Sequence, residues 1–183
     1  MPPILTPGAR RVLDAATTLF YTHGIAAVGV ETIAATAGVT KRTLYDRFGS
    51  KEALVCAYLR RRDEEWTARW EERIATAPEP RALTVFDAYA EDAEPSGRGC
   101  AFVNAASELA DEHPGKAVIR EHKAAVRARI EQLVTIDAAR ADAVAVAHHI
   151  FLLAEGAIAQ QGVDGDAGHL RRARRLAAEL LRR

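Results

Sequence analysis

Apolar residues along this chain recur at three- and four-residue intervals, and no stretch shows the period-two alternation of a half-buried strand. Thr6 followed by Pro7 reads as a helix cap and a favoured first-turn proline, and Val12, Ala16, Leu19 and Phe20 then mark one helical face up to Gly24. After a loop, a short helix is expected over 31–37, stopped by Gly38. Thr40 caps a second short helix, Lys41–Phe48, which ends at Gly49. Ser50 caps a long helix over 51–77, with Glu52 in its first turn and Leu54, Tyr58, Trp66, Trp70 and Ile74 along it. Pro78 and Pro80 end it. Further helices are expected over 81–93 and 100–112, separated by the Pro- and Gly-containing stretch 94–99. A seventh carries Ile119, His122, Val126, Ile130 and Leu133 on one face. Asp137 is read as the cap of an eighth over 138–161, and the last begins at His169 after a Gly-rich turn. The fold class is therefore all-α, with about nine helices.

The two short helices joined at Gly38-Val39 have the form of a helix-turn-helix, in which glycine lets the chain reverse tightly. Ile33 and Val39 are its apolar anchors, Ala34 and Ala37 allow a close crossing, and Leu44 points inward from the second helix. Lys41, Arg42, Thr43 and Asp46 make the outer face of that helix polar, which is what a helix entering a major groove needs at its N-terminal end. Residues 6–51 form the expected DNA-binding head, 51–77 a connecting helix, and 78–183 a ligand-binding and dimerisation body.

Charge supports this division. The 183 residues carry no net charge, but residues 1–51 hold six basic side chains against three acidic ones, leaving the rest correspondingly acidic. A basic head on an acidic body suits a protein that meets phosphates at one end only. Cys56 and Cys100 are too few for a disulfide framework, and no CxxC spacing, paired metal-ligand spacing or cofactor motif occurs. His148 and His149 are adjacent and so face different sides of their helix. No metal and no cofactor is expected. GxSxG, HExxH, Walker and Rossmann patterns are absent, and no catalytic residues are assigned. The first residues lack a basic region followed by an apolar run, and no stretch approaches about 18 uninterrupted apolar residues, so a cytoplasmic protein without a membrane partner is expected.

Residues 30–54 resemble the signature of the tetracycline-repressor (TetR) family of transcriptional regulators, above all in Leu44-Tyr45, Phe48, Ser50-Lys51-Glu52 and Leu54. The resemblance implies a regulator that binds duplex DNA at a palindromic operator as a homodimer. It is expected to be a repressor released by a small, largely apolar effector. The implied DNA-binding residues are Thr32, Thr40, Lys41, Arg42, Thr43, Tyr45 and Lys51. Lys41 and Arg42 would reach base edges, Arg42 gripping a guanine bidentately, while Tyr45 and Lys51 would hold phosphates. The chain departs from the family at Val28 and Gly29, where a phosphate-binding Ser or Thr is common. The competing reading is a helical interaction protein whose DNA-binding head is degenerate.

The resemblance also implies an effector pocket and a dimer interface in the body. The last two helices suit the interface. Val144, Ala147, Phe151, Leu152 and Ile158 make the eighth apolar on more than one side, and Leu170, Ala173, Leu176, Ala177, Leu180 and Leu181 follow in the ninth. The homodimer is thus expected through residues 138–183. Trp66 and Trp70 form a stripe that could line a pocket, with Phe86, Tyr89, Cys100, Phe102, Asn104, Glu108, His122 and Phe151 as further candidates. The run from Arg98 to Asn104 is similar to the start of the sixth helix in a subgroup of drug- and flavonoid-responsive repressors.

Overall fold

The computed structural model describes residues 6–93, 98–138 and 141–182, and every regular element among them is helical. The order is α1 (Pro7–His23), α2 (Val30–Thr36), α3 (Lys41–Phe48), α4 (Lys51–Thr76), a single 3₁₀ turn (Arg81–Leu83), α5 (Thr84–Ala93), α6 (Ala101–Glu108), α7 (Gly115–Ala138), α8 (Ala143–Asp164) and α9 (Gly168–Arg182). The all-α reading holds, and the first four helices begin and end within a residue of where the sequence puts them.

The later boundaries differ for identifiable reasons. The expected helix over 81–93 starts as a 3₁₀ turn, because Arg81 is held from outside: its N–H donates to Asp137 Oδ2 at 2.6 Å and its guanidinium clasps Oδ1. Asp137 therefore does not cap α8, as the sequence suggested; it lies inside α7, and Asp142 occupies the N-cap position of α8 instead. The sixth helix stops at Glu108 rather than 112, and His113 Nδ1 then accepts from the Gly115 N–H at 2.9 Å to start α7. The break expected over 94–99 falls mostly on 94–97, outside the described residues.

The chain forms two compact units, one of residues up to Arg62 together with Ala101–Ile119, the other of Asp63–Cys100 and Arg120–Arg183. In the first unit α1, α2 and α3 pack against one another around Val12, Ala16, Ile33 and Leu44, all fully buried. Phe20 meets Tyr58 edge-on, ring centroids 5.5 Å apart, which joins α1 to the start of α4. In the second unit α8 packs chiefly on α9, and α5 packs on both. Trp70 Nε1 donates to Thr84 Oγ1 at 2.9 Å, satisfying the one polar atom of a fully buried indole. Gly99, at φ +70°, lies so close to α8 that a Cβ there would be 2.9 Å from the Ile158 carbonyl. α8 is long and apolar enough by composition to span a bilayer, yet it packs on α5 and α9, and its Ile150, Ala154 and Ile158 are buried.

Candidate nucleic-acid interface

The turn between α2 and α3 is built by backbone chemistry. Gly38 takes φ +62°, its N–H bonds the Ala35 carbonyl at 3.1 Å, and the Val39 N–H bonds the Ala34 carbonyl at 3.0 Å. This pair of bonds closes α2 with its last carbonyls satisfied, and only a residue without a Cβ takes that φ at no steric cost. Arg11 on α1 clamps the same turn, Nε donating to the Ala37 carbonyl at 3.2 Å. Thr40 then opens α3, its Oγ1 accepting from the Thr43 N–H at 3.1 Å, and the two threonine hydroxyls bond each other at 2.9 Å. Leu44 is fully buried beneath the helix, so the register of α3 is fixed: what surrounds Leu44 on the other side must face out.

That outer face carries the expected residues. Thr40, Lys41, Arg42 and Tyr45 are exposed, and Thr43 is half-buried. Arg42 has 91 % of its side chain exposed and only a loose contact, 3.9 Å, to Asp46 one turn on. Its planar fork is therefore available to a base edge. Tyr45 is 39 % exposed, with its ring 6.0 Å from Lys41 Nζ. Lys41 is not idle: its ammonium forms a short ion pair with Glu31 on α2, which lowers the Glu31 pKa and raises that of Lys41, in each case first through the hydrogen bond between them. Both groups are exposed, so a phosphate or base can displace the carboxylate at small cost.

The expected phosphate groups outside α3 fare differently. Thr32 is exposed on the first turn of α2, whereas Gly29 at the N-cap supplies no side-chain bond to that turn. Lys51 points into the head: its Nζ donates to the Ile25 carbonyl at 2.8 Å. Arg47, which the residue-by-residue assignment passed over, is exposed on the last turn of α3.

The candidate pocket residues divide between the two units. Trp66, Trp70, Phe86, Tyr89, Cys100 and His122 are all buried in the second, where Phe151 is half-buried. Phe102, Asn104 and Glu108 belong to the first, with Phe102 buried. In the second unit Trp66 is the hub of an aromatic cluster, its ring 5.1 Å from Trp70, 5.3 Å from Tyr89 and 5.3 Å from His122. Beside it runs a polar network. Lys123 Nζ donates to Glu155 Oε1 at 2.8 Å and to Tyr89 Oη at 3.2 Å, and stands 3.5 Å from Cys100 Sγ. Tyr89 also donates to Glu155, and burial, reinforced by that carboxylate, pushes the phenol pKa well up, so the proton stays on the donor. His122 Nδ1 pairs with Asp63 Oδ1 at 2.7 Å, and burial nonetheless outweighs the carboxylate and lowers the imidazole pKa. Sequence reasoning named Tyr89, Cys100 and His122 but missed Lys123 and Asp63. A lysine directly after the inward His122 was the available sign. Among the described residues no group of three or more His, Cys, Asp or Glu could hold a metal ion.

Two domain families match this chain, one in each part of it. Residues 12–58 match the bacterial regulatory proteins of the tetR family, and residues 78–177 match the tetracyclin repressor-like C-terminal domain. A TetR-family transcriptional regulator from Streptomyces coelicolor has the same fold at a TM-score of 0.88 and 30% identity, over 97% of this chain and 89% of that one. A TetR transcriptional regulator from Chloroflexus aurantiacus follows at 0.82 and 27% identity, over 95% and 93% of the two chains. Two uncharacterized HTH-type transcriptional regulators of Mycobacterium tuberculosis, from strains CDC 1551 and H37Rv, are 40% identical over 72 residues, 39% of this chain. That match takes in 36% of their length, so this chain spans about a third of the curated relatives it matches. With a model of the family's C-terminal domain matching more than half of its residues and an N-terminal model matching the helix-turn-helix, the chain belongs to the TetR family of bacterial regulatory proteins.

Proposed function

We propose that this chain is a DNA-binding transcriptional regulator, a repressor that meets a palindromic operator as a homodimer and leaves it when a small, largely apolar effector fills the body. The observation that carries the reading is the outer face of α3. Thr40, Lys41, Arg42, Thr43 and Tyr45 stand around a helix whose inner side is anchored by Leu44, so the short and basic side chains present themselves together. Arg42 reads a guanine, Lys41 leaves Glu31 to add a second base or phosphate contact, and Tyr45 and Thr32 hold the backbone. Lys51, engaged with the Ile25 carbonyl, stands apart from these.

The dimer runs through residues 138–183. Val144, His148, Leu152 and Gly156 follow one another at four-residue spacing along α8 and so share a face, with Val144 64% and Leu152 53% exposed. Leu176 on α9 is 51% exposed as well. One isolated apolar side chain at a surface needs no explanation, but three on two helices packed against each other support an isologous two-fold contact. Two-fold half-sites about 34 Å apart require such a protein. The effector is received by the second unit, against Trp66, Trp70, Phe86 and Tyr89, where the half-buried Lys123–Glu155 pair offers a polar anchor beside the aromatic cluster. A ligand acts by favouring the state in which the two heads no longer match successive grooves. The protein works where its DNA is, in the cytoplasm, and by chemistry it is a binder rather than an enzyme.

The test is selection from a random duplex pool with the full chain. The expected result is a two-fold symmetric sequence bound with affinity that falls steeply with salt. Recovery of no sequence, with a flat salt response, would favour an interaction protein with a degenerate head.

A further inference from the structure

The last residue of α6 is an acid, Glu108, placed where the negative end of a helix dipole disfavours it. Its use lies elsewhere in the first unit. Glu108 Oε2 accepts from the Ala26 N–H at 2.8 Å, across 82 positions of sequence. Its carboxylate also stands where a Cβ on Gly24 would come within 3.0 Å of both oxygens, and Gly24 itself takes φ +90°. On the other side, Lys51 Nζ donates to the Ile25 carbonyl at 2.8 Å. The carbonyl of Ile25 and the N–H of Ala26 are the two ends of a single peptide group. An ammonium therefore sits on its oxygen and a carboxylate on its hydrogen, and each bond polarises the peptide in the sense that strengthens the other.

We propose that Glu108 and Lys51 form one clamp on the Ile25–Ala26 peptide, and that Glu108 is a positioning residue for DNA recognition. The peptide lies in the loop between α1 and α2, so gripping it from α4 and α6 fixes where α2 begins and, through the Gly38 turn, how α3 is presented. Lys51 then contributes through the head's geometry and not as a phosphate contact. Its charge is directed inward and is answered through the peptide by Glu108. The inference rests on the DNA-binding reading above and adds a residue, Glu108, from a helix outside the helix-turn-helix.

The experiment uses the full chain, a duplex recovered by the wild-type protein from a random pool, and the variants Glu108→Ala, Glu108→Gln, Lys51→Ala and the Ala/Ala pair. Far-UV circular dichroism accompanies each. Glu108→Ala and Lys51→Ala are each expected to weaken binding about ten-fold, the scale of one charge-assisted hydrogen bond. The double variant is expected to lose no more than either single one, and Glu108→Gln, which keeps an acceptor oxygen, to recover most of the affinity. The plot of log affinity against log salt should keep its slope in Lys51→Ala, whereas loss of a phosphate contact would reduce it by about 0.9. In the free protein the Ala26 amide should exchange with solvent faster in both alanine variants. Additive losses, a reduced slope in Lys51→Ala, or an Ala26 amide indifferent to Glu108 would each overturn the clamp. If the wild type recovers no duplex, the DNA-binding reading fails and the positioning role falls with it, and the Ala26 exchange still reports whether the peptide is gripped.

Discussion

Leu44→Ala tests whether the reading helix is set by its buried side. Leu44 is fully buried, on the underside of an eight-residue helix whose other side chains are exposed or half-buried. An isolated helix that short has no stability of its own, so α3 exists because Leu44 is packed among α1 and α2. Removing its buried methyl and methylene groups forfeits about 0.8 kcal/mol each in transfer free energy, and the void left behind adds to this, for a total of about 2 to 5 kcal/mol. With a urea dependence of about 1 to 3 kcal/mol per molar, the unfolding midpoint should fall by about 0.7 M or more. Far-UV circular dichroism reports all the helices, whereas tryptophan fluorescence reports only the second unit, because Trp66 and Trp70 both lie there. The loss should appear in the dichroism transition, and comparison of the two signals tells whether the units unfold together. Leu44→Met, close in volume, should cost less than about 1.5 kcal/mol. A change for Leu44→Ala within about 0.5 kcal/mol of zero, the range of surface substitutions, would refute the inward placement of Leu44 and with it the register of the whole outer face.

Three further outcomes follow from the same structure. Because burial holds the His122 pKa below its ordinary 6.5, the unfolded chain takes up a proton that the folded chain resists. Stability should accordingly be full above about pH 6.5 and fall as the pH drops below it, and His122→Gln should flatten that decline; greater stability on acidification from that point would contradict it. Leu152→Glu combined with Leu176→Glu should convert a dimer to a monomer in sedimentation with the helical content unchanged, whereas dimers that survive both charges would place the interface elsewhere. Thr84→Val should destabilise by about 1 to 3 kcal/mol in urea unfolding, since it strands the Trp70 indole N–H in a buried site; a neutral result would mean that the indole finds another partner.

What could be read from the sequence was mostly local. Caps at Thr6, Thr40 and Ser50 and stops at Gly24, Gly38 and Gly49 are properties of a few neighbouring residues, and the first four helices accordingly appear where expected. Boundaries set from a distance were not legible. Asp137 has the chemistry of a cap, but Arg81, 56 positions away, takes both of its oxygens. The outer face of α3 could be inferred because Leu44 and its neighbours alternate at helical spacing. The intramolecular partners of Lys41 and Lys51 could not, since each is brought in by folding, Glu31 for one and the Ile25 carbonyl for the other. The same holds for the pocket candidates: periodicity identified inward residues such as Trp66, Phe102 and His122, but not which of them fold into the same unit.

The central claim, that the outer face of α3 reads base sequence, is tested most directly by selecting duplexes with wild-type protein and with Arg42→Ala at fixed salt. The wild type is expected to recover a two-fold symmetric sequence. Arg42→Ala is expected to bind more weakly by about 1 to 3 kcal/mol, with discrimination lost at one position in each half-site. Identical sequences and affinities for the two proteins would contradict the claim.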